Sequence, residues 1–288
     1  MSDTDRLPVA PHIDEVEASV ERARAARAAQ ARVTAVLAPI VVLIVVLALW
    51  QAGTQLFAVP AFLLPPPSAI AASMAKNAGL LAGGAWVTTL EILLGFLLSI
   101  AVGIPLALMI FLWPPFSRAV LPLLISSQAM PKVAVAPLFL VWFGFGILPK
   151  VLIAFLIAFF PVVINTAVGL AAIEPEKIHL ARSMGLGAFQ TFFKIRLPDA
   201  LPAIFAGLKI SITLAVVGAV VGEFVGGDAG LGYLLMVANG SMDTQLLFAG
   251  IVCLTILGVG FYALVALAER LAVPRHIIAR DRTPGGTL

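Results

Sequence analysis

The side chains that could do chemistry in this chain include a few polar residues that lie inside long apolar runs. Burying an ionisable or strongly polar side chain in a hydrocarbon layer is costly, so such residues are typical of the path by which a polar solute or ion crosses a membrane. We therefore predict five translocation-path residues, which are Glu91, Gln128, Lys132, Asn165 and Glu223.

Two of these residues have more than one interpretation. Lys132 directly follows Pro131, and its ammonium group either lines a path, extends to the membrane surface, or forms an ion pair with Glu91 or Glu223. Glu223, together with Asp228, is alternatively a residue of the outer surface that contacts another protein.

A second group of candidate residues lies in the basic segment 179–202, HLARSMGLGAFQTFFKIRLPDALP, which separates two apolar runs. Its pattern predicts two short amphipathic helices on either side of a turn at residues 185–187. Because proline removes a backbone donor, we expect Pro198 and Pro202 to end the second helix and to begin the next span. An amphipathic helix held below a helical bundle fits into a groove of another protein. The alternative is a helix that lies on lipid.

The sequence lacks the motifs of several kinds of active site. The chain has no G-x-x-x-x-G-K-[ST] phosphate loop, and its GDAGLG stretch follows no predicted strand, so we expect no nucleotide site of the usual kinds. Its three histidines lie outside the predicted spans, and its single cysteine, Cys253, lies inside an apolar run. That distribution leaves no metal-ligand spacing. We predict no catalytic residue, no metal site and no cofactor in this chain.

The composition predicts the class of fold that positions these residues. Of the 288 residues, 61% are hydrophobic and only 11% are charged, whereas soluble proteins carry about 25% charged residues. A spanning helix needs about 20 apolar residues. Long charge-free runs therefore predict an all-α membrane protein with six transmembrane helices, at about residues 33–53, 85–112, 119–145, 150–172, 201–225 and 247–270.

The third of these spans is predicted to be irregular. It contains Pro122, Pro131 and Pro137, and proline kinks a helix. A break at membrane depth is tolerated only where protein or a wet cavity satisfies the freed backbone groups. We therefore expect a break close to Lys132.

Basic residues predict the orientation. Six spans place both termini on one side of the membrane, and fifteen of the eighteen Lys and Arg residues lie on that side. Because basic loops stay in the cytoplasm, both termini are predicted to be cytoplasmic. The same distribution accounts for the pI of 9.3 without nucleic-acid binding.

The domain organisation follows from these spans. We predict a cytoplasmic N-terminal tail at residues 1–32, a transmembrane domain at 33–271 and a cytoplasmic C-terminal tail at 272–288. The N-terminal tail is either an interfacial helix or a solvated segment.

The basic segment resembles the cytoplasmic motif of the permeases of bacterial ATP-binding cassette importers. That motif reads Glu-Ala-Ala, three residues, Gly, nine residues, Ile, one residue, Leu-Pro. The chain matches it at Ala181, Gly185, Ile195, Leu197 and Pro198. His179 and Leu180 depart from it, because they stand where Glu and the first Ala are usual.

The resemblance extends to other parts of the chain. Four stretches are similar to the importer permeases of the nitrate, sulfonate and taurine type, a group that includes transporters of pyrimidine precursors of thiamin. These stretches are residues 130–146, 159–170, 201–224 and 230–235. The resemblance implies the type I importer permease fold, with a cytoplasmic coupling helix at about residues 174–198 between spans four and five.

The resemblance also implies a function. The chain is expected to be the membrane-spanning subunit of an ATP-driven, binding-protein-dependent importer in the bacterial plasma membrane. Its solute is expected to be small and anionic or heteroaromatic, such as a sulfonate, nitrate or a pyrimidine precursor. The alternative is a secondary transporter driven by an ion gradient. Such proteins often contain paired broken helices, and no second copy of the predicted break is present in the sequence.

The partners implied by the resemblance are a second permease copy, two cytoplasmic ATP-binding subunits, an extracytoplasmic substrate-binding protein and membrane lipid. The two permease copies are expected to form a homodimer. ATP and Mg are expected on the ATP-binding subunits, so the chain itself is not expected to be an enzyme. The residues expected to dock on those subunits are His179, Ala181, Arg182, Gly185, Gly187, Ile195, Leu197 and Pro198.

Overall fold

The computed structural model describes residues 37–273, and no strand occurs among them. The tail predicted at residues 1–32, and all but the first two residues of the tail predicted at 272–288, lie outside this range. The chain divides into two compact units, residues 1–68 and 69–288. In the first unit, helix α1 (Leu37–Leu56) is long and apolar enough to cross a membrane.

The second unit is built from helices of very different lengths. In chain order these are α2 (Pro67–Lys76), α3 (Ala78–Leu112), α4 (Pro114–Gln128), a 3₁₀ turn (Lys132–Val135), α5 (Ala136–Phe143), α6 (Ile147–Ala171), α7 (Pro175–Ser183), α8 (Ala188–Thr191), a π-helical turn (Phe192–Arg196), α9 (Leu197–Gly226), α10 (Leu231–Gly240) and α11 (Thr244–Ala272). Five helical stretches of the described residues could each cross a membrane, and the bent pair α4 and α5 makes a sixth. The predicted all-α fold with six spans is confirmed.

The core of the second unit is the packing of α6 against α9 and α3. Small residues let the helix backbones approach closely, as is usual where helices pack inside a membrane. A Cβ added to Gly218 would lie 2.5 Å from the Cα of Ala154. In the same interface the Ser211 hydroxyl donates a hydrogen bond to the Ala158 carbonyl at 2.7 Å. The close approach of α6 and α9 therefore depends on residues with little or no side chain.

The third span is broken, as its prolines predict. Helix α4 ends at Gln128, and the chain resumes as a 3₁₀ turn at Lys132 that leads into α5. The axes of the two halves differ by 88°. Pro131 immediately precedes the 3₁₀ turn, and Pro137 lies in the first turn of α5, where its missing N–H needs no partner.

The expectation that Pro198 and Pro202 separate two helices is wrong. Residues from Ala188 to Gly226 form one continuous helix of 39 residues. The π-helical turn explains the continuity, because the backbone N–H of Leu197 bonds to the Phe192 carbonyl, five residues earlier. This wider turn lies directly before Pro198, so the proline ring is accommodated without a break.

Candidate functional site

The five predicted path residues do not form one site. Glu91 and Glu223 come together between α3 and α9, whereas Gln128 is exposed at the end of α4. Asn165 is half-buried in α6, where its side-chain amide donates to the Pro161 carbonyl at 2.9 Å. Lys132 lies at the break of the third span, with its ammonium nitrogen 4.2 Å from the centroid of the Phe160 ring.

A buried lysine completes the site that contains the two glutamates. Lys150 Nζ lies 3.1 Å from Glu91 Oε1 and 3.2 Å from Asp228 Oδ1. Glu91, Lys150 and Glu223 are 0%, 2% and 1% exposed, respectively. We call this group, with Thr88, the ion cluster (Thr88, Glu91, Lys150, Glu223 and Asp228).

Glu223 is the acceptor around which the chain after α9 folds. Its carboxylate accepts hydrogen bonds from the Thr88 hydroxyl, at 2.6 Å, and from the backbone N–H of Gly232. The Thr88 oxygen in turn accepts from the backbone N–H of Leu231 at 2.8 Å. Gly230 has a positive φ of 112°, and a Cβ at this position would overlap the Glu223 carboxylate. Glycine is therefore required for the chain to approach the carboxylate this closely.

The ion cluster reaches the surface through Asp228. Its side chain is 75% exposed, although the ammonium group that it contacts is buried. The hydrogen bond from Lys150 Nζ, assisted by their Coulomb attraction, holds the pKa of Asp228 below its ordinary value. The sequence left open that Glu223 and Asp228 are both surface residues. The structure separates them, because Glu223 is buried and the side chain of Asp228 is exposed.

Lys150 is the residue that the sequence prediction missed. It is not among the five predicted path residues, but it lies in the first turn of α6 and its side chain is buried. Of the three alternatives for Lys132, an ion pair with Glu91 is not the one found, since Lys150 is the partner of Glu91. One signal was available: acids inside predicted spans require a cation, and Lys150 is the first residue of the fourth predicted span.

The basic segment lies at the opposite end of α6 and α9 from the ion cluster. We call residues 174–198 the coupling segment. Helix α7 ends there in a Schellman motif: the Gly185 N–H bonds to the Arg182 carbonyl at 2.9 Å, and the Leu186 N–H bonds to the Ala181 carbonyl at 3.1 Å. Gly185 has a φ of 79°, which explains why the sequence motif requires glycine at this position.

The predicted docking residues divide by exposure. Ala181 is 1% exposed, and Ile195, Leu197 and Pro198 are half-buried. His179, Arg182, Gly185 and Gly187 are exposed.

Three large apolar side chains of the coupling segment are also exposed, although they are not among the predicted docking residues. Leu180, Met184 and Phe189 are 63%, 72% and 74% exposed. They lie on α7, in the turn that follows it and on α8, beside the exposed predicted docking residues. Large exposed apolar side chains that recur within a short segment are typical of a protein interface.

The coupling segment is tied to the bundle by an ion pair. Lys177 of α7 contacts Asp199, which lies in the first turn of α9. A displacement of α7 would therefore be transmitted to the helix that carries Glu223 at its other end. No group of three or more His, Cys, Asp or Glu side chains that could hold a metal ion occurs among residues 37–273.

Residues 95–275 match the protein family described as binding-protein-dependent transport system inner membrane component. The riboflavin transport system permease protein of Chloroflexus aurantiacus is 40% identical over 233 residues, which are 80% of this chain and 87% of that protein. The formylaminopyrimidine transport permease protein of Halalkalibacterium halodurans is 35% identical over 232 residues, 80% of this chain and 92% of that protein.

The fold also resembles solved structures. The inward-facing methionine ABC transporter superposes with a TM-score of 0.59 at 20% sequence identity, and the match covers 69% of this chain and 99% of that one. The crystal structure of an amino acid ABC transporter with histidines superposes with a TM-score of 0.58 at 19% identity, covering 69% of this chain and 96% of that one. At these identities the likeness concerns the fold.

Proposed function

The chain belongs to the family of binding-protein-dependent transport system inner membrane components, and from this premise we propose what each end of its helix bundle does. It is a permease subunit of an ABC importer, like its relatives. The observation that carries the proposal is the extent of the family match. Residues 95–275 include the whole coupling segment together with Lys150, Glu223 and Asp228 of the ion cluster.

The coupling segment docks on a cytoplasmic partner that binds ATP and Mg and hydrolyses ATP. Three features support this role: the rigid Schellman turn at Gly185, the exposed apolar side chains around it, and the Lys177–Asp199 ion pair that joins α7 to α9. An amphipathic helix that is held in a fixed position but exposes apolar side chains suits insertion into a groove.

This docking assigns an orientation. The coupling segment and both termini face the cytoplasm of a bacterial cell, and the ion cluster lies near the extracytoplasmic face of the plasma membrane. Support comes from the fifteen of eighteen Lys and Arg residues on the coupling-segment side. Asp228 is then an exposed carboxylate on the face that receives a substrate-binding protein.

A second copy of the chain completes the translocation path as a homodimer. Gln128 and Lys132 lie at or near the surface of this chain, at the break of the third span, and the chain does not enclose them. A second copy that faces this break would cover both side chains. ATP binding would then favour one of two arrangements of the two bundles, and hydrolysis would restore the other.

The solute is a small heteroaromatic or anionic compound. Relatives are named for riboflavin, formylaminopyrimidine, aliphatic sulfonates and taurine. Lys132 lies at the break of the third span, so the break offers a positive charge. That charge attracts an anionic group such as a sulfonate.

The test is reconstitution of the complete importer in proteoliposomes, with its ATP-binding subunit and binding protein. Uptake of riboflavin, formylaminopyrimidine, taurine and an alkanesulfonate is measured with ATP inside or outside the vesicles. We expect uptake of one of these classes that requires the binding protein and ATP on the coupling-segment side. It should persist when an ionophore dissipates ion gradients. Uptake that follows an imposed ion gradient without ATP would contradict the proposal and support a secondary transporter.

A further inference from the structure

A cavity of about 320 Å³ lies at the coupling-segment end of the second unit. Its volume is within the range of small-molecule binding sites. It is formed by the end of α3 and by α7, α8 and the π-helical turn. We call it the arginine cavity, after the two residues that give it its charge, and the side chains that matter here are Phe111, Arg182, Thr191, Phe192 and Arg196.

The arginine cavity carries uncompensated positive charge. Arg182 and Arg196 both line it, and no acidic residue of the range 37–273 does. Among residues 37–273, neither arginine has an ion-pair partner, since the ion pairs of this region join Lys177 to Asp199 and Lys209 to Glu269. Two guanidinium groups around one cavity without a carboxylate attract an anion.

Arg196 is held in place with most of its donors unused. Its Cζ lies 4.9 Å from the centroid of the Phe111 ring. Its Nη1 donates one long hydrogen bond, of 3.5 Å, to the Leu170 carbonyl. A guanidinium group has five N–H donors, so at least four remain for a ligand. Its planar fork matches the oxygens of a phosphate group.

The arginine cavity lies beside the end of an apolar helix and close to an exposed tryptophan. Phe111 and Leu112 are the last two residues of the apolar helix α3. Trp113 follows, stacked on Phe116 with ring centroids 5.8 Å apart, and is 58% exposed. Tryptophan is enriched at the membrane interface. Basic pockets between transmembrane helices on the cytoplasmic side are typical sites for anionic headgroups.

We propose that the arginine cavity binds a phosphate group, carried by an anionic phospholipid headgroup or by a soluble phosphate ester. The phosphate joins Arg182 of α7 to Arg196 at the foot of α9, beside the end of α3. The position of the coupling segment then depends on the ligand. This site is separate from the translocation path and from the nucleotide of the partner subunit.

The test uses the purified full-length chain in a neutral detergent. Native mass spectrometry measures the binding of phosphatidylglycerol and of phosphatidylcholine, and calorimetry measures the binding of sn-glycerol 1-phosphate. We expect phosphatidylglycerol to bind more tightly than phosphatidylcholine. Arg182→Gln and Arg196→Gln should each weaken phosphatidylglycerol binding about fivefold, the effect of one basic residue near an anionic headgroup.

Two further variants distinguish binding in the arginine cavity from general electrostatic attraction to a basic surface. Lys194→Gln removes a charge from the same helical turn, but Lys194 does not line the arginine cavity, and it should bind like the wild type. Ala188→Trp fills the cavity without changing charge, and it should weaken binding even if Arg196→Gln fails to fold. Binding of glycerol 1-phosphate as well as lipid assigns soluble phosphate esters as ligands, whereas binding of lipid alone assigns the headgroup.

Three results would overturn the proposal. The first is an equal loss of binding in Lys194→Gln and in the two arginine variants, which would mean diffuse attraction of lipid to a basic surface. The second is unchanged binding in Ala188→Trp. The third is no preference for phosphatidylglycerol together with no binding of glycerol 1-phosphate. None of these measurements requires transport activity, so they are independent of the proposed function.

Discussion

The ion cluster and the coupling segment lie at opposite ends of α6, about 37 Å apart along a helix of 25 residues. In the ion cluster, the charged side chains of Glu91, Lys150 and Glu223 are buried, and only Asp228 reaches the surface. In the coupling segment, Leu180, Met184 and Phe189 are each more than 60% exposed. The difference shows that one end of the bundle completes its own interactions, whereas the other end exposes apolar side chains, as expected if the proposed docking is correct. Substitutions at the first end should therefore affect stability, and those at the second should affect assembly.

The largest effect is expected for Lys150→Met. It leaves Glu91 and Glu223 buried without their cation, and breaking a buried ion pair costs about 3–5 kcal/mol. The measurement is the free energy of unfolding of the purified chain in detergent. Lys76→Met is the matched control, because Lys76 is exposed at the end of α2, and it should change the free energy by less than about 0.5 kcal/mol.

A double variant tests the cause of that loss. Glu91→Gln combined with Lys150→Met removes both charges of the pair, so the combined loss should be smaller than the sum of the two single losses. Additive losses would show that the pair is not the unit that stabilises this end.

The next largest effect is the difference in free energy of unfolding between two glycine variants, Gly230→Ala and Gly185→Ala. Gly185 and Gly230 both have a positive φ, of 79° and 112°, so Ala strains the backbone at either position. That strain costs about 1–2 kcal/mol. At Gly185 no other group lies within 4 Å of an added Cβ, but at Gly230 the Cβ would overlap the Glu223 carboxylate. Gly230→Ala should therefore cost about 1–3 kcal/mol more than Gly185→Ala. Equal losses in denaturant unfolding would contradict the described packing around Glu223.

A smaller effect is expected at the exposed edge of the ion cluster. Asp228→Asn should lower the free energy of unfolding at neutral pH by less than about 1 kcal/mol, because the Asp228 side chain is mostly exposed and solvent screens the pair. Since the pKa of folded Asp228 is below its ordinary value, its contribution is present above the unfolded pKa of about 3.9. It is lost as pH falls through the folded pKa. The difference between wild type and variant should therefore shrink as pH falls below about 3.9, and a constant difference would exclude this origin.

The smallest effect on stability is expected at the coupling segment. Met184→Glu places a charge on a side chain that is 72% exposed, and Met242→Glu does so at a side chain that is 80% exposed at the other end. Both should change the free energy of unfolding by less than about 0.5 kcal/mol. Only Met184→Glu should weaken binding of the ATP-hydrolysing partner, by about tenfold or more in a pull-down titration. Equal partner binding by the two variants would remove the coupling segment from the interface.

The sequence predicts the spans and the turn at Gly185 well because both depend on local patterns. A charge-free run of about 20 residues has few alternatives to a spanning helix, and Gly185 marks a turn that only glycine adopts without strain. The break near Lys132 was also predictable, because prolines at positions 131 and 137 remove backbone donors close together.

Two features were not predicted from the sequence, for different reasons. The partner of Glu91 is Lys150, 59 positions later (150 minus 91), and only the packing of α3 against α6 brings them together. The continuity of the helix through Pro198 depends on a π-helical turn, which has no recognised sequence signature. Proline alone indicated a boundary, but the wider turn before it removed the steric conflict.

The continuous helix from Ala188 to Gly226 has a mechanical consequence. Its 39 residues form a lever arm about 58 Å long, with the coupling segment at its foot and Glu223 near its tip. A tilt of roughly 5° about the foot would displace the tip by about 5 Å, close to one helical pitch. A break at Pro198 would have let the two parts of the helix bend independently, so a tilt at the foot would not have displaced the tip. The transmission of movement from one face of the membrane to the other therefore depends on the stiffness of a single turn, Phe192–Arg196.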